Sequence, residues 1–344
     1  FGGPDTLATR PRVFVLAALQ AVVANALEGC GIARSAAAPK AAIVAATRLP
    51  QELSVPLSSP SDPADTTASQ HRQSIADELM SATAQRRQIR PYTSRPGGLT
   101  LADAYLVADE VCNRRRLRGE VPVGRKIGFT NRQIWAEYEV WAPIWGTVYN
   151  STLHLLHDQP HEAPARFDVA HLREPRIEPE IVFGLGQAPR AGMNADELMD
   201  CIAWVAHGFE LVQSIYPGWK FAAADTVAAF GLHGALWLGP RTELPSDTAA
   251  RSRWQSALEQ FEIELLCDGE VADRGRASHV LDGPLHALRH LVDLLGADPA
   301  AASLQAGELI STGTLTRALP VHAGQTWSTR LHGLDLPGLR LAIA

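Results

Sequence analysis

Cysteine is scarce. The four residues, Cys30, Cys112, Cys201 and Cys267, lie far apart and form no CxxC pair. Such spacing excludes a dense disulfide framework and the common zinc sites, and it suits reduced thiols in a cytosolic protein. Positive charge is not in excess either. Thirty-one Lys and Arg face 37 Asp and Glu, giving a net charge of −6 and a pI near 6.1. A general nucleic-acid binder would show a basic face instead. No apolar run reaches the roughly 18 to 20 residues that span a bilayer. Val13 to Ala26, preceded by Arg10 and Arg12, resembles the apolar core of a signal peptide. Gln20 and Asn25 interrupt it, however, and no clean small-residue cleavage site follows. A cytoplasmic protein with neither membrane nor nucleic-acid partner is expected. Internal repeats and a P-loop are missing as well, and Gly184-Leu185-Gly186 is too short for a dinucleotide fingerprint.

What is there is globular: 344 residues, 46% hydrophobic and 20% charged, enough for one large domain or two ordinary ones. Residues 1–70 are rich in Ala, Ser, Pro and Thr, and Leu57 to Pro63 reads as a linker. This segment is expected to be a poorly ordered extension, apart from a short helix over Val13–Leu27. Order is expected from about Ser74, which can cap a helix to Arg87. Thr100 can cap a second helix over Leu101–Leu117, with Asp103 in the capping-box position. Asn194 and Glu197 form a further box for a helix to His207, and Pro284 opens one to Leu295. Asp268-Gly269 is a two-residue hairpin signal. Pattern alone supports an α+β chain with many short strands.

The chemistry centres on Arg176-Ile177-Glu178-Pro179-Glu180-Ile181-Val182-Phe183-Gly184-Leu185, which reads as a strand. Residues two apart share a strand face, so Glu178 and Glu180 project side by side. On a partly buried face they need a basic partner, a proton or a divalent cation. An edge strand with two solvated glutamates is the alternative, and Pro179 favours it. In Val123 to Thr130, a short strand holds Arg125 and Lys126 on opposite faces. One cation must point inward if the strand is covered, as an ion-pair partner or an anion-binding group. Trp135, Trp141 and Trp145 either line a pocket or fill a core. His154, His157 and His161 match no metal motif, and His286 with His290 lacks the glutamate of HExxH.

Four patterns then coincide in order and spacing: Gly124-Arg125-Lys126-Ile127-Gly128, Arg176-Ile177-Glu178-Pro179-Glu180, Phe209-Glu210-Leu211-Val212 and Asp225-Thr226-Val227-Ala228. Gly275 to Ser278, Gly283-Pro284-Leu285 and Ser311 to Leu315 support them. From about residue 74 onward the chain resembles the 2-keto-4-pentenoate hydratase and 4-oxalocrotonate decarboxylase family of the fumarylacetoacetate hydrolase superfamily. The resemblance implies a β-dominated mixed roll with surrounding helices, a catalytic domain over residues 71–344, and a homo-oligomer of dimer size or larger. It implies that Glu178, Glu180 and Glu210 hold Mg²⁺ or Mn²⁺ and that Lys126 is the active-site lysine. Arg125, Trp145, Asp225, His233 and Thr314 are the expected substrate contacts. The implied activity is a lyase acting on a small 2-keto acid or its dienol in aromatic catabolism. Hydration of 2-hydroxypenta-2,4-dienoate leads, oxalocrotonate-type decarboxylation is second, and a non-catalytic member is the rival. Two departures stand out. Ile144 replaces an aspartate common in the hydratases, and Ala229-Phe230-Gly231-Leu232 replaces Asp-Asn-Ala-Ser. An apolar residue at position 144 looks more like the decarboxylase branch.

Overall fold

The computed structural model describes residues 63–156, 164–298 and 301–344. The extension before Pro63, its expected helix, and His157 and His161 lie outside the described residues.

Helix α1 spans Pro63–Ala84, beginning well before Ser74. Proline suits a first helical turn because its missing N–H would be unpaired there anyway. Helix α2, Leu101–Leu117, starts where the Thr100 side chain accepts the Asp103 amide, as its capping pattern implies. The remaining helices are α3 (Trp135–Tyr138), α4 (Ala195–Cys201), α5 (Ala223–Ala228), α6 (Thr248–Gln260) and α7 (Pro284–Ala297). Leu285, Leu288, Leu291, Val292 and Leu295 recur at helical spacing on α7 and are buried in the largest core cluster. None of the helices among the described residues is long and apolar enough to cross a membrane.

The strands follow in chain order: β1 (Pro122–Gly128), β2 (Ile144–Tyr149), β3 (Leu153–Leu155), β4 (Ala165–Phe167), β5 (Arg176–Leu185), β6 (Ile202–Val212) and β7 (His233–Leu238). Then come β8 (Thr242–Glu243), β9 (Glu262–Cys267), β10 (Glu270–Arg276), β11 (Leu309–Thr314), β12 (Leu319–Pro320), β13 (Thr326–His332) and β14 (Arg340–Ile343). They make a nine-stranded sheet, ordered β2-β1-β11-β5-β6-β7-β3 with β12 on β5 and β8 on β6, and a five-stranded sheet, β10-β9-β13-β14-β4. Both are mixed, since β1–β11, β3–β7 and β14–β4 are parallel and the hairpin β9–β10 turns at Asp268-Gly269. The architecture is thus the α+β, β-dominated roll that the family likeness implies.

Strand β5 is central, between β11 and β6, so the edge-strand alternative fails. Pro179 is tolerated because its neighbour on that side changes there: β11 pairs as far as Glu180, and β12 begins at Ile177. The expected helix to His207 is also corrected. It stops at Cys201, and Ile202 to Val212 pair with the whole length of β5. Ten paired residues and the burial of Ile202, Val205 and Ala206 outweigh a local helical tendency. Val148, Val182, Ala206, Leu236, Leu238 and Leu309 form an apolar floor within the large sheet. Val182 lies on the same face of β5 as Glu178 and Glu180, so the carboxylates stand above that floor.

Candidate active site

Antiparallel pairing of β5 with β6 sets Glu178 directly opposite Glu210 and Glu180 opposite Gly208. One oxygen from each of the three glutamates lies within 4.8 Å of the others. Glu180 and Glu210 are fully buried and Glu178 half-buried. Glu180 Oε2 accepts from Ser311 Oγ (2.5 Å) and from the Gly313 amide (2.9 Å). Its Oε1 has no hydrogen-bond partner. Glu210 Oε1 accepts from His233 Nδ1 at 2.7 Å, while Oε2 lies 3.1 Å from Lys126 Nζ in an ion pair but receives no well-directed hydrogen bond. Buried carboxylate oxygens left in this way are costly unless something else occupies them. Three converging carboxylates against one ammonium form an oxygen-donor set with spare negative charge, which fits a hard dication.

The electrostatics agree. Burial pushes Glu178 up to about 7, with Lys126 opposing and Glu210 adding to the rise. Burial, then Glu210 and Glu178, hold Glu180 well above the ordinary carboxylate range. Burial also presses Glu210 upward, but Lys126 and His233 outweigh it and keep Glu210 low. Desolvation works against the Lys126 ammonium, yet the three glutamates raise it above its usual value. Retaining protons is how such a crowded set of carboxylates relieves its excess negative charge when no cation is bound.

Lys126 comes from β1, whose parallel register with β11 places it beside Ser311. It is 3% exposed, and Nζ also donates to the Gly231 carbonyl at 3.1 Å. That carbonyl belongs to the turn Phe230-Gly231-Leu232, which stands where the family's Asp-Asn-Ala-Ser would be. All three residues have φ between 62° and 63°. Left-handed Phe and Leu are strained, and such strain gathers at functional sites. A second tight approach occurs at Gly313, with φ of 101°, where an added Cβ would lie 1.9 Å from Thr130 Oγ1. Gly313→Ala is expected to cost about 2–4 kcal/mol of stability, read from denaturant unfolding, and to disturb the amide that supports Glu180.

Above the carboxylates is a cleft of about 550 Å³, open mouth included, walled by Phe129, Ile134, Tyr138, Trp219, Phe221 and Leu232. Lys126, Glu178 and Thr314 reach it. Thr314 is pinned by donating to the Thr316 carbonyl. The other expected contacts do not line it. Arg125 projects to the opposite face from Lys126, stacks on Trp145 at 4.7 Å and pairs with Glu308 at 3.4 Å. Trp145 in turn stacks on Tyr105. Asp225 is wholly buried elsewhere, accepting from Thr93 Oγ1, the Thr93 amide and the Ala222 amide. Trp141 does neither of the things expected of it: it is 74% exposed.

His233 is placed behind Glu210, with Nε2 against Thr152 Oγ1 at 2.8 Å. It positions a carboxylate instead of meeting substrate. His233→Ala is expected to weaken divalent-cation affinity about 10- to 100-fold, the usual cost of losing a ligand's orienting partner, measured by Mn²⁺ titration. Sequence reasoning assigned no role to Ser311, the Gly313 amide, Tyr138, Trp219 or Phe221. For the first two the run Ser311 to Leu315 was a visible signal. The aromatic walls carried none beyond composition.

Comparison with known proteins bears on the same elements. The family model described as fumarylacetoacetate (FAA) hydrolase C-terminal matches residues 143–336, which include all three glutamates. The 2-hydroxyhexa-2,4-dienoate hydratase of Comamonas testosteroni is 28% identical over 261 residues, 74% of this chain and 92% of that protein. A 4-oxalocrotonate decarboxylase of a Pseudomonas species is 27% identical over 238 residues, covering 68% and 84%. Among solved structures, 4-oxalocrotonate decarboxylase from Pseudomonas putida G7, complexed with magnesium and adipate, superposes with a TM-score of 0.71 at 24% identity, covering 80% of this chain and 98% of that one. With the matched segment running from the start of β2 through β13 and holding all three glutamates, the chain belongs to the fumarylacetoacetate (FAA) hydrolase C-terminal family.

Proposed function

We propose that this chain is a divalent-metal-dependent lyase acting on a small 2-keto acid or its dienol, in the breakdown of aromatic ring-cleavage products. Hydration of a 2-hydroxydienoate of the 2-keto-4-pentenoate type is the leading reaction. The observation that carries this is the convergence of Glu178, Glu180 and Glu210 beside Lys126, at the base of an apolar cleft. The three glutamates would hold Mg²⁺ or Mn²⁺, which when bound supplies Lewis-acid stabilisation of enolate charge. Lys126, kept charged by its acidic neighbours, steadies negative charge on the substrate and can hand a proton to carbon at the cleft base. Phe129, Trp219 and Phe221 keep water from the hydrocarbon part, which strengthens those charges. In the cell the enzyme would act in the cytoplasm as a homo-oligomer.

Decarboxylation of an oxalocrotonate-type diacid is the second reading, and one observation favours it. Ile144, 3% exposed, packs beside Gly128, so β2 supplies no acid where hydratases commonly have one. Product analysis separates the two. Mg²⁺-loaded protein is given 2-hydroxypenta-2,4-dienoate and, separately, the six-carbon diacid. A 4-hydroxy-2-keto acid supports hydration, whereas CO₂ from the diacid without that product replaces hydration by decarboxylation. No turnover of either, with metal bound, leaves a non-catalytic member.

A further inference from the structure

A second cavity, of about 460 Å³, lies behind the wall that carries part of the cleft. The two share no lining residue, yet they take alternate positions on the same stretches of chain. Val212, Gly231 and Leu232 face the cleft, whereas Gln213, Phe230 and His233 face the cavity. That common wall holds the imidazole behind Glu210 and the turn whose carbonyl receives Lys126.

The charge lining the cavity is of one sign. Arg86 and His171, both exposed, and the half-buried Arg115 and His154 contribute to it, and among the described residues no Asp or Glu does. Arg115 is neutralised by Glu120, and His233 is engaged by Glu210 and Thr152. The other polar groups are unmet. The side chains of Arg86, His154 and His171 form no hydrogen bond or ion pair among the described residues. Gln213, 8% exposed, accepts the Arg173 amide on Oε1, and its Nε2 donors have no partner among the described residues. Donors held in this way are costly until a ligand or water takes them. The imidazoles are set by ring contacts instead. His154 lies flat on Trp237 at 4.6 Å, and His154 and His171 both meet Phe167, at 5.5 and 5.4 Å between centroids. Burial, then His171 and His233, hold His154 below the ordinary histidine range, since clustered imidazolium rings repel. A negative charge among them removes that repulsion.

We infer that this cavity is a second ligand site, separate from the cleft, for a small organic anion that carries a carboxylate on a flat apolar body. The carboxylate is set among Arg86, the two free imidazoles and the Gln213 amide, where charge-assisted hydrogen bonds await it. The apolar body lies against Phe167, Leu172 and Phe230. Size separates this class from a bare inorganic ion. The space would hold about 15 waters at ~30 Å³ each, and it falls in the range of small-molecule sites. The inference stands apart from the reaction proposed for the cleft, because none of its ligand contacts belongs to the metal centre.

The test titrates benzoate, its uncharged isostere benzamide and inorganic phosphate calorimetrically into the Mg²⁺-loaded full chain and its variants. Wild type is expected to bind benzoate with a Kd of about 1 mM or tighter, within reach of a ligand of that size. Benzamide and phosphate should each bind about tenfold more weakly or worse, the one lacking the charge and the other the apolar body. Arg86→Gln and His171→Gln, both at exposed positions that leave the core intact, should each weaken benzoate about tenfold. Glu180→Gln, which removes the metal, should leave benzoate binding as it was. Absence of benzoate binding overturns the inference, and so does equal binding of benzamide or phosphate. A loss of benzoate binding in Glu180→Gln with none in Arg86→Gln and His171→Gln places the anion on the metal and overturns it as well.

Discussion

Replacing Glu180 by glutamine is expected to remove divalent-cation binding and yet leave the metal-free chain as stable as before, or more so. The two effects have opposite signs because the same geometry drives both. Glu180 is fully buried, one of its oxygens lacks a partner, and two more carboxylates converge on it. Without metal the chain meets this by keeping Glu180 protonated. A glutamine preserves the shape, and its carbonyl oxygen can still accept from Ser311 Oγ and the Gly313 amide as Oε2 does. It removes a charge that the apo fold must suppress. The gain in unfolding free energy at pH 8, in chelator, should be about 1–2 kcal/mol, in line with other relieved functional sites. The loss on the other side is larger. A hard dication depends on each anionic oxygen, so the Kd for Mn²⁺ should rise at least ~100-fold and turnover should fall with it. Calorimetric titration and chelator-treated denaturant melts read the two separately. An unchanged Kd would mean that the three glutamates do not form a metal centre.

Parity within a strand needs no tertiary information, which is why the shared face of Glu178 and Glu180, and the opposite faces of Arg125 and Lys126, were legible from spacing alone, whereas which of the two cations points inward was not. Glu210 was not, except through likeness to the family. Its place opposite Glu178 depends on a ten-residue register between strands, and no local pattern encodes register with a distant partner. The same long pairing explains why β6 began earlier than helical propensity suggested. Asp225 shows the reverse failure. An acid three positions into a short helix is a capping signal, as at Asn194 and Glu197, and Asp225 uses an oxygen on the Ala222 amide in that way. Read as a substrate contact, it was a fold residue. The parity rule that pairs the two glutamates places Arg176 on their face of β5 as well.

Metal affinity should climb with pH, by about tenfold per unit for each proton released, through the region near 7 where Glu178 titrates. Cation and proton compete for the same oxygens, so binding must expel what burial has retained on Glu178 and Glu180. Calorimetry in buffers of different ionisation enthalpy should register that release at pH 6.5 and a smaller one at pH 8.5. Stability of the metal-free chain should move the other way. Both groups are raised above the unfolded value of about 4.3, so the stabilisation from holding them neutral is complete below that value and is lost as pH rises, for Glu178 through about 7. Glu210, held low, adds stability above the unfolded value and loses it only on acidification, outside this window. His207, buried and lowered to about 4, makes stability rise with pH up to roughly 6.5, so the decline is clean only above that. Between pH 6.8 and 8.5 the chelated protein should therefore melt at progressively lower temperature, while the Mg²⁺-saturated protein should hold its Tm, the cation having replaced the protons. Parallel curves with and without metal would show that these carboxylates are neutralised by something other than a bound dication.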